Sequence, residues 1–404
     1  MNLTILVDLD NTLLSNEDKV FIPAYLERLA QSIGVLPTEQ ILRHLWQSTG
    51  KMVKKSTPAN TLKETFDQDF FSAIGCNQED LAPVIHQFYT DVYPSLQLLT
   101  QPRPQAVQFI KLAQDMGCQV VIATNPILPR IAIDHRLTWA GLSPEQYHFD
   151  LITSYENMHF SKPHPEYLVE ILAQLGWPQQ PAVVVGNSFD DDIVPAIKLG
   201  MPFFYLSNQP LDENLTFPAQ SRQGSLDDLI PWLQGLEPRL IHEEFATRES
   251  IMAILRATPS ALDTLVRPLD DTALKHQPGP AEWSLTEIIC HLRDVDREVN
   301  LPRFQRILTD DNPFLPGIDT DLWAAERQYQ LQSASCALKN FIEVRTNLLS
   351  LLENYQPEVW SRPVKHAIFG PTHAEELISF IATHDQNHIA QAKTVLDGMK
   401  KFPV

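Results

Sequence analysis

The sequence has few cysteines, no excess of basic residues and no long apolar run, and each shortage closes a class of explanation. Its four cysteines (Cys76, Cys118, Cys290, Cys336) are scattered, with no C-x-x-C pair. That excludes a disulfide framework and points to a reducing compartment. Lys and Arg number 31 against 50 Asp and Glu, a formal net charge of -19. A surface of that sign repels nucleic acid and anionic membrane, so neither is an expected partner. No apolar run reaches membrane-spanning length, and the N-terminus has neither a basic start nor a cleavage site. The expected location is the cytoplasm. Internal repeats and low-complexity tracts are absent too.

What is present suffices for real cores: 44% of the 404 residues are hydrophobic, enough for two or three domains. Strand-like apolar runs recur at 4–7, 119–123, 182–185 and 203–206, with helical patterns such as 105–115 and 165–175 between them. That alternation predicts a mostly parallel, Rossmann-like α/β sheet. Residues 16–100 are too long for one crossover and carry helical stretches, including 23–33 and 38–48. They form an inserted α-helical cap between core segments 1–15 and 101–235. Residues 236–245 read as a linker. From about 246 to 400 the strand signal disappears, and helical periodicity at 246–257, 285–300, 335–353 and 375–397 predicts an all-α four-helix bundle.

The opening run "TILVDLDNTLLS" places Asp8 and Asp10 at the end of an apolar strand, where two ionised carboxylates need compensation. One reading is that the strand simply ends in a solvated turn. Three later segments offer an alternative. Thr124 and Asn125 follow the strand at 119–123, Lys162 precedes a helix in "FSKPHPEY", and "VVVGNSFDDDI" closes another strand with a glycine turn and acids. In open α/β sheets ligands bind beyond the carboxyl ends of strands, so all four segments can converge.

That order resembles the haloacid dehalogenase-like hydrolase superfamily, over roughly residues 1–235. Its D-x-D-x-T pattern matches Asp8, Asp10 and Thr12, and Thr124, Lys162 and Gly186 to Asp192 match its later motifs. The resemblance implies Asp8 as nucleophile toward a phosphoryl group and Asp10 as general acid–base. It implies Thr124 and Lys162 holding phosphoryl oxygens, beside Asn125, with Mg²⁺ at Asp8, Asp10, Asn187 and Asp192. A cation and Lys162 would then compensate the acid pair. Asp10 favours phosphatase over dehalogenase, because the dehalogenases lack the second acid. Asn187 departs from the usual aspartate and offers an uncharged amide oxygen. Asp190 and Asp191 read as acids at a helix N-terminus, favoured by the dipole. Lys51, Lys54 and Lys55 share one cap helix face, read as solvated rather than substrate-attracting.

In the second half, Ser284 and Glu287 form a capping box, and Trp283 is placed to staple onto Ile288. Leu285, Ile288, Leu292, Val295 and Val299 mark a buried face that includes His291. Leu377, Ile381, His384, His388 and Val395 mark another. Histidines four apart on one helix face can hold one metal. The spacing resembles the DinB-like superfamily, whose W-S-x-x-E helix bears one histidine and whose terminal H-x-x-x-H supplies two more. The resemblance implies a Zn²⁺ or Ni²⁺ site at His291, His384 and His388. His366 and His373 read as solvated loop residues, and His276 carries no signal. The expected partner is a small phosphorylated metabolite, and a homodimer through the bundle stays open. Two other functions remain beside the phosphatase: thiol transfer by the bundle, and non-catalytic phospho-ligand binding.

Overall fold

A computed structural model describes residues 1–209, 211, 216–241, 245–279 and 282–401. The chain packs as two compact units: residues before 245, apart from short stretches at 57–59 and 169–177, and the remainder. Its strands are, in chain order, β1 (Thr4–Val7), β2 (Leu14–Asn16), β3 (Thr100–Pro102), β4 (Gln119–Ile122), β5 (Leu151–Ile152), β6 (Ala182–Gly186), β7 (Phe203–Leu206), β8 (Arg222–Gly224), β9 (Phe314–Leu315), β10 (Pro363–His366) and β11 (Gly370–His373).

Six of them form a parallel sheet in the order β5-β4-β1-β6-β7-β8. The central strand β1 is wholly buried, as its β-branched and aliphatic residues require. Val7 lies opposite both Ile122 and Val185, so three strands end level. The hydrogen bonds continue past them, Asp8 N–H to Val185 O at 2.9 Å and Ala123 N–H to Val7 O at 2.7 Å. Residues that follow β1, β4 and β6 therefore emerge along one edge.

β2 and β3 pair antiparallel and tie together the two ends of a helical insertion. That insertion contains helices Asp18–Ile33, Thr38–Val53, Leu62–Ile74 and Gln78–Gln87. The helix Thr38–Val53 ends before Lys54 and Lys55, so the three lysines do not share one helix face. Lys51 pairs with Asp69, and Lys55 donates to His159 O at 3.2 Å. Of the expected linker, Leu236 and Ile241 are buried in the first unit's core, a 3₁₀ turn spans Pro238–Leu240, and residues 242–244 lie outside the described residues.

The second unit is built on helices Arg248–Val266, Leu285–Val295, Ala334–Glu353 and Ala374–Lys401; the first two each pack against both of the others. The predicted capping box is present: Ser284 N–H donates to Glu287 Oε2 at 2.8 Å, and Glu287 N–H to Ser284 Oγ at 3.3 Å. Leu285–Val295 is buried on every side, including Arg293 and Asp294, which pair at 2.6 Å. Arg345 is wholly buried between Asp296, at 2.6 Å, and Asp385, at 2.5 Å.

Beside the helices, β9, β10 and β11 form a small sheet, where the sequence shows no strand signal. These strands are two to four residues long and hold Pro363, Lys365, Gly370 and Pro371, so they lack β-branched alternation. His366 consequently lies buried in β10 rather than solvated in a loop, while His373 lies in β11 and is exposed. No helix among the described residues is long and apolar enough to cross a membrane.

Candidate functional site

The level strand ends bring the predicted segments around one cleft of about 450 Å³, lined among others by Asp8, Asp10, Asn125, Lys162, Asn187, Asp191 and Asp192. That is the size range of small-molecule sites. Asp8 is buried, and the Lys162 ammonium lies 2.7 Å from its Oδ1 and 2.5 Å from Asp192 Oδ1. Burial pushes the Asp8 carboxyl up to about 6; Lys162 opposes that rise, and the Asp192 charge adds to it. Burial also works against the Lys162 charge, but the Asp192 and Asp8 carboxylates outweigh it and hold the ammonium well above its ordinary range.

Asp10 has a different partner. The buried Arg136 guanidinium pairs with Asp10 Oδ1 and also donates to Asn16 Oδ1 at 3.1 Å. Burial pushes Arg136 down to about 9, with the Asp8 carboxylate opposing. Two protein cations thus stand against the acid pair, where the sequence reading named Lys162 alone. Arg136 sits among Ala132, Ile133 and Leu137 on the buried face of helix Arg130–Trp139. An arginine inside an apolar helical arc is a signal that its charge meets an acid.

Thr124 is buried two residues past the end of β4, while Asn125 lines the cleft with its side-chain oxygen buried and unpartnered. The Asn187 amide oxygen accepts from the Thr12 hydroxyl at 3.0 Å, joining the turn after β6 to the first motif. Asp192 Oδ2 accepts from Ser188 N–H at 3.0 Å, so both its oxygens are engaged. Gly186 permits that placement, because a Cβ there would fall 2.3 Å from the Asp192 carboxyl carbon. Asp190 is exposed, as a helix-end acid would be. Asp191 stands in the same first helical turn, its N–H on the Ser188 hydroxyl, and it also lines the cleft, where burial followed by the Asp192 charge raises its pKa. The carboxylate and amide oxygens around this cleft are the hard donors that a divalent cation such as Mg²⁺ takes.

The helical unit brings together a second group. His384 Nε2 lies 3.2 Å from His291 Nε2 and 3.2 Å from His388 Nε2, and one ligand atom from each of the three rings falls within 4.8 Å of the others. Tetrahedral zinc, with Zn–N of about 2.0–2.1 Å, spaces its nitrogens roughly 3.3 Å apart. The two 3.2 Å spacings fit a shared ion. His388 Nδ1 meets Gln391 Oε1 at 2.9 Å, which leaves Nε2 to face its neighbours. Trp283 stacks on His388, with planes 4° apart, and also meets the His291 ring. Burial, then the His388 and His384 imidazoles, push His291 down to about 3; burial and His388 do the same to His384. Burial lowers His388 as well. Neutral imidazole is the form that ligates.

Residues 3–200 match the haloacid dehalogenase-like hydrolase family, and residues 254–392 match the DinB superfamily. The pyrophosphatase PpaX of Bacillus pumilus is 27% identical over 46% of this chain and 76% of its own. OB0413 of Oceanobacillus iheyensis, a protein named for metal-dependent hydrolysis, is 24% identical over 34% of this chain and 78% of its own. Among solved structures, YfiT of Bacillus subtilis, with an unusual four-helix bundle topology, is 20% identical over 39% of this chain and 93% of its own, at a TM-score of 0.36.

Proposed function

The chain joins a haloacid dehalogenase-like hydrolase unit to a DinB-superfamily unit, and from that premise we propose that it hydrolyses a small phosphorylated metabolite with Mg²⁺. The observation that carries this reading is the Lys162 ammonium bridging Asp8 and Asp192 at the level ends of β1 and β6. A relative named as a pyrophosphatase supports it.

Asp8 attacks the phosphorus, its Oδ–P bond forming as the bond to the leaving oxygen breaks. Asp10, held by Arg136, gives the leaving oxygen a proton and then takes one from the water that opens the aspartyl-phosphate. Lys162, Thr124 and Asn125 orient the phosphoryl oxygens. Asp8, Asp10, Asn187 and Asp192 would hold Mg²⁺, which supplies charge neutralisation of carboxylate and phosphate when bound.

The test is hydrolysis of a panel of phosphorylated metabolites by the full chain, with and without Mg²⁺, beside Asp8→Asn. Turnover that needs Mg²⁺ and is lost in the variant is expected, since an amide cannot form the acyl-phosphate. Asp10→Asn should cost roughly 10²-fold or more. Substantial turnover by a clean Asp8→Asn preparation would remove Asp8 as nucleophile.

The three-histidine group favours a second reading, metal-dependent hydrolysis or thiol transfer in the helical unit. Conjugation assays with a low-molecular-weight thiol test it.

A further inference from the structure

His384 belongs to two neighbourhoods. Besides meeting His291 and His388, it lines a pocket of about 120 Å³ within the helical unit, together with Arg303, Phe304, Phe369, Phe380 and Leu377. A cavity near 150 Å³ lined by apolar side chains holds a benzene ring, so this one suits a body of about one small ring or a short chain. The lining is largely apolar. Phe369 and Phe380 meet edge to face at 5.0 Å and stay half exposed, as a rim around the mouth.

Arg303 is out of place in such a pocket. Its Nη2 donates to Pro316 O at 3.0 Å, its Nε is buried without a partner, and no carboxylate pairs with it among the described residues. Burial lowers its pKa with no facing acid to offset the effect. A second donor stands close by. His366 stacks on Phe369 at 4.7 Å, and its Nδ1 accepts from the Ile368 and Phe369 N–H groups. With Nδ1 accepting, the proton of the neutral ring is on Nε2, which is also buried without a partner. Burial, then the Arg303 charge, keeps His366 from gaining a second proton.

A half-buried guanidinium left without an anion is costly unless a ligand supplies one. One cation balances one negative charge, which selects a carboxylate over a phosphate dianion in an apolar lining. We propose that this pocket binds a small carboxylate with an aromatic or short aliphatic body, its carboxylate on Arg303 and its body among Phe304, Phe369 and Phe380, next to His384. The inference rests on the three-histidine reading only for the ligand's nearness to a metal.

The test is calorimetric titration of full-length protein, both Zn²⁺-loaded and chelator-treated, with phenylacetate and with its neutral isostere phenylacetamide. Phenylacetate should bind at least tenfold more tightly, Arg303→Met should abolish that preference, and metal content should be unchanged. Phe380→Asp, at an exposed position, places a like charge at the mouth and should weaken phenylacetate selectively even if Arg303→Met folds poorly. Equal affinity for acid and amide overturns the proposal. So does a preference indifferent to both variants, tighter binding of phenylphosphonate, or an absence of binding with Phe369 and Phe380 covered in a dimer that Phe380→Asp dissociates. An acid preference kept by protein that takes up no metal supports the pocket and counts against the metal reading alone.

Discussion

Lys162 Nζ lies 2.5 Å from Asp192 Oδ1 with both side chains buried, and the glycine ending β6 makes room for the contact. Gly186→Ala is the sharp test, because the new methyl would stand 2.3 Å from the Asp192 carboxyl and the strand backbone cannot yield. Asp192 must turn away, losing Lys162 and the Ser188 N–H. Hydrolysis should fall at least tenfold, and stability by about 1–3 kcal/mol, as overpacking usually costs. Turnover assays and urea midpoints measure the two, and wild-type kinetics would show that the Asp192 position does not matter.

Asn187→Asp adds a charged hard-oxygen donor to a cleft already lined by Asp8, Asp10 and Asp192, while keeping an acceptor for Thr12. If position 187 faces the cation, half-activation should need severalfold less Mg²⁺. A titration curve that does not move would leave Asn187 as the clasp between two turns and transfer the ligand role to Asp192.

His388→Ala should empty the helical site of metal, since two imidazoles leave an incomplete shell. Elemental analysis should find about one equivalent of transition metal in the wild-type protein and little in the variant. Wild-type protein that stays metal-free after incubation with Zn²⁺ and Ni²⁺ would make the three rings ordinary core residues.

Asp294 gives the helical unit a predictable acid sensitivity. Burial raises its pKa, but bonds from Arg293 at 2.6 Å, Tyr329 at 2.9 Å and Arg327 at 3.1 Å outweigh it and hold the carboxyl below its ordinary 3.8. Below 3.8 the unfolded chain binds more protons than the fold, so this stabilisation is complete above that pH and is lost as pH falls through the folded value. Asp294→Asn should cost about 1.5–3 kcal/mol at pH 7, the worth of bonds to charged groups. The gap between variant and wild type should narrow in melts taken below pH 3.8. A gap constant with pH would mean that packing, not charge, is what the substitution removes.

Much of this molecule follows from local pattern. A buried strand ending in D-x-D-x-T, a capping box at Ser284 and Glu287, and histidines four apart on one helix face are written in short windows. Period and spacing alone place them at strand ends and on core-facing turns. The pairing of Asp10 with Arg136, 126 residues away, is in no window; it exists because the helix Arg130–Trp139 turns its buried face toward the first strand's end. The same holds for Arg345 between Asp296 and Asp385, for Asp191 turning into the cleft, and for Arg303 beside His384. β9, β10 and β11 are too short and too rich in proline and glycine to announce themselves, and they form where neighbouring backbone supplies hydrogen bonds. The amino-acid sequence by itself determined where the buried strands, the capping box and the paired histidines lie along the chain, because each is a short-range pattern. Only tertiary packing decided which buried charge meets which, because that depends on distances between segments far apart in the chain.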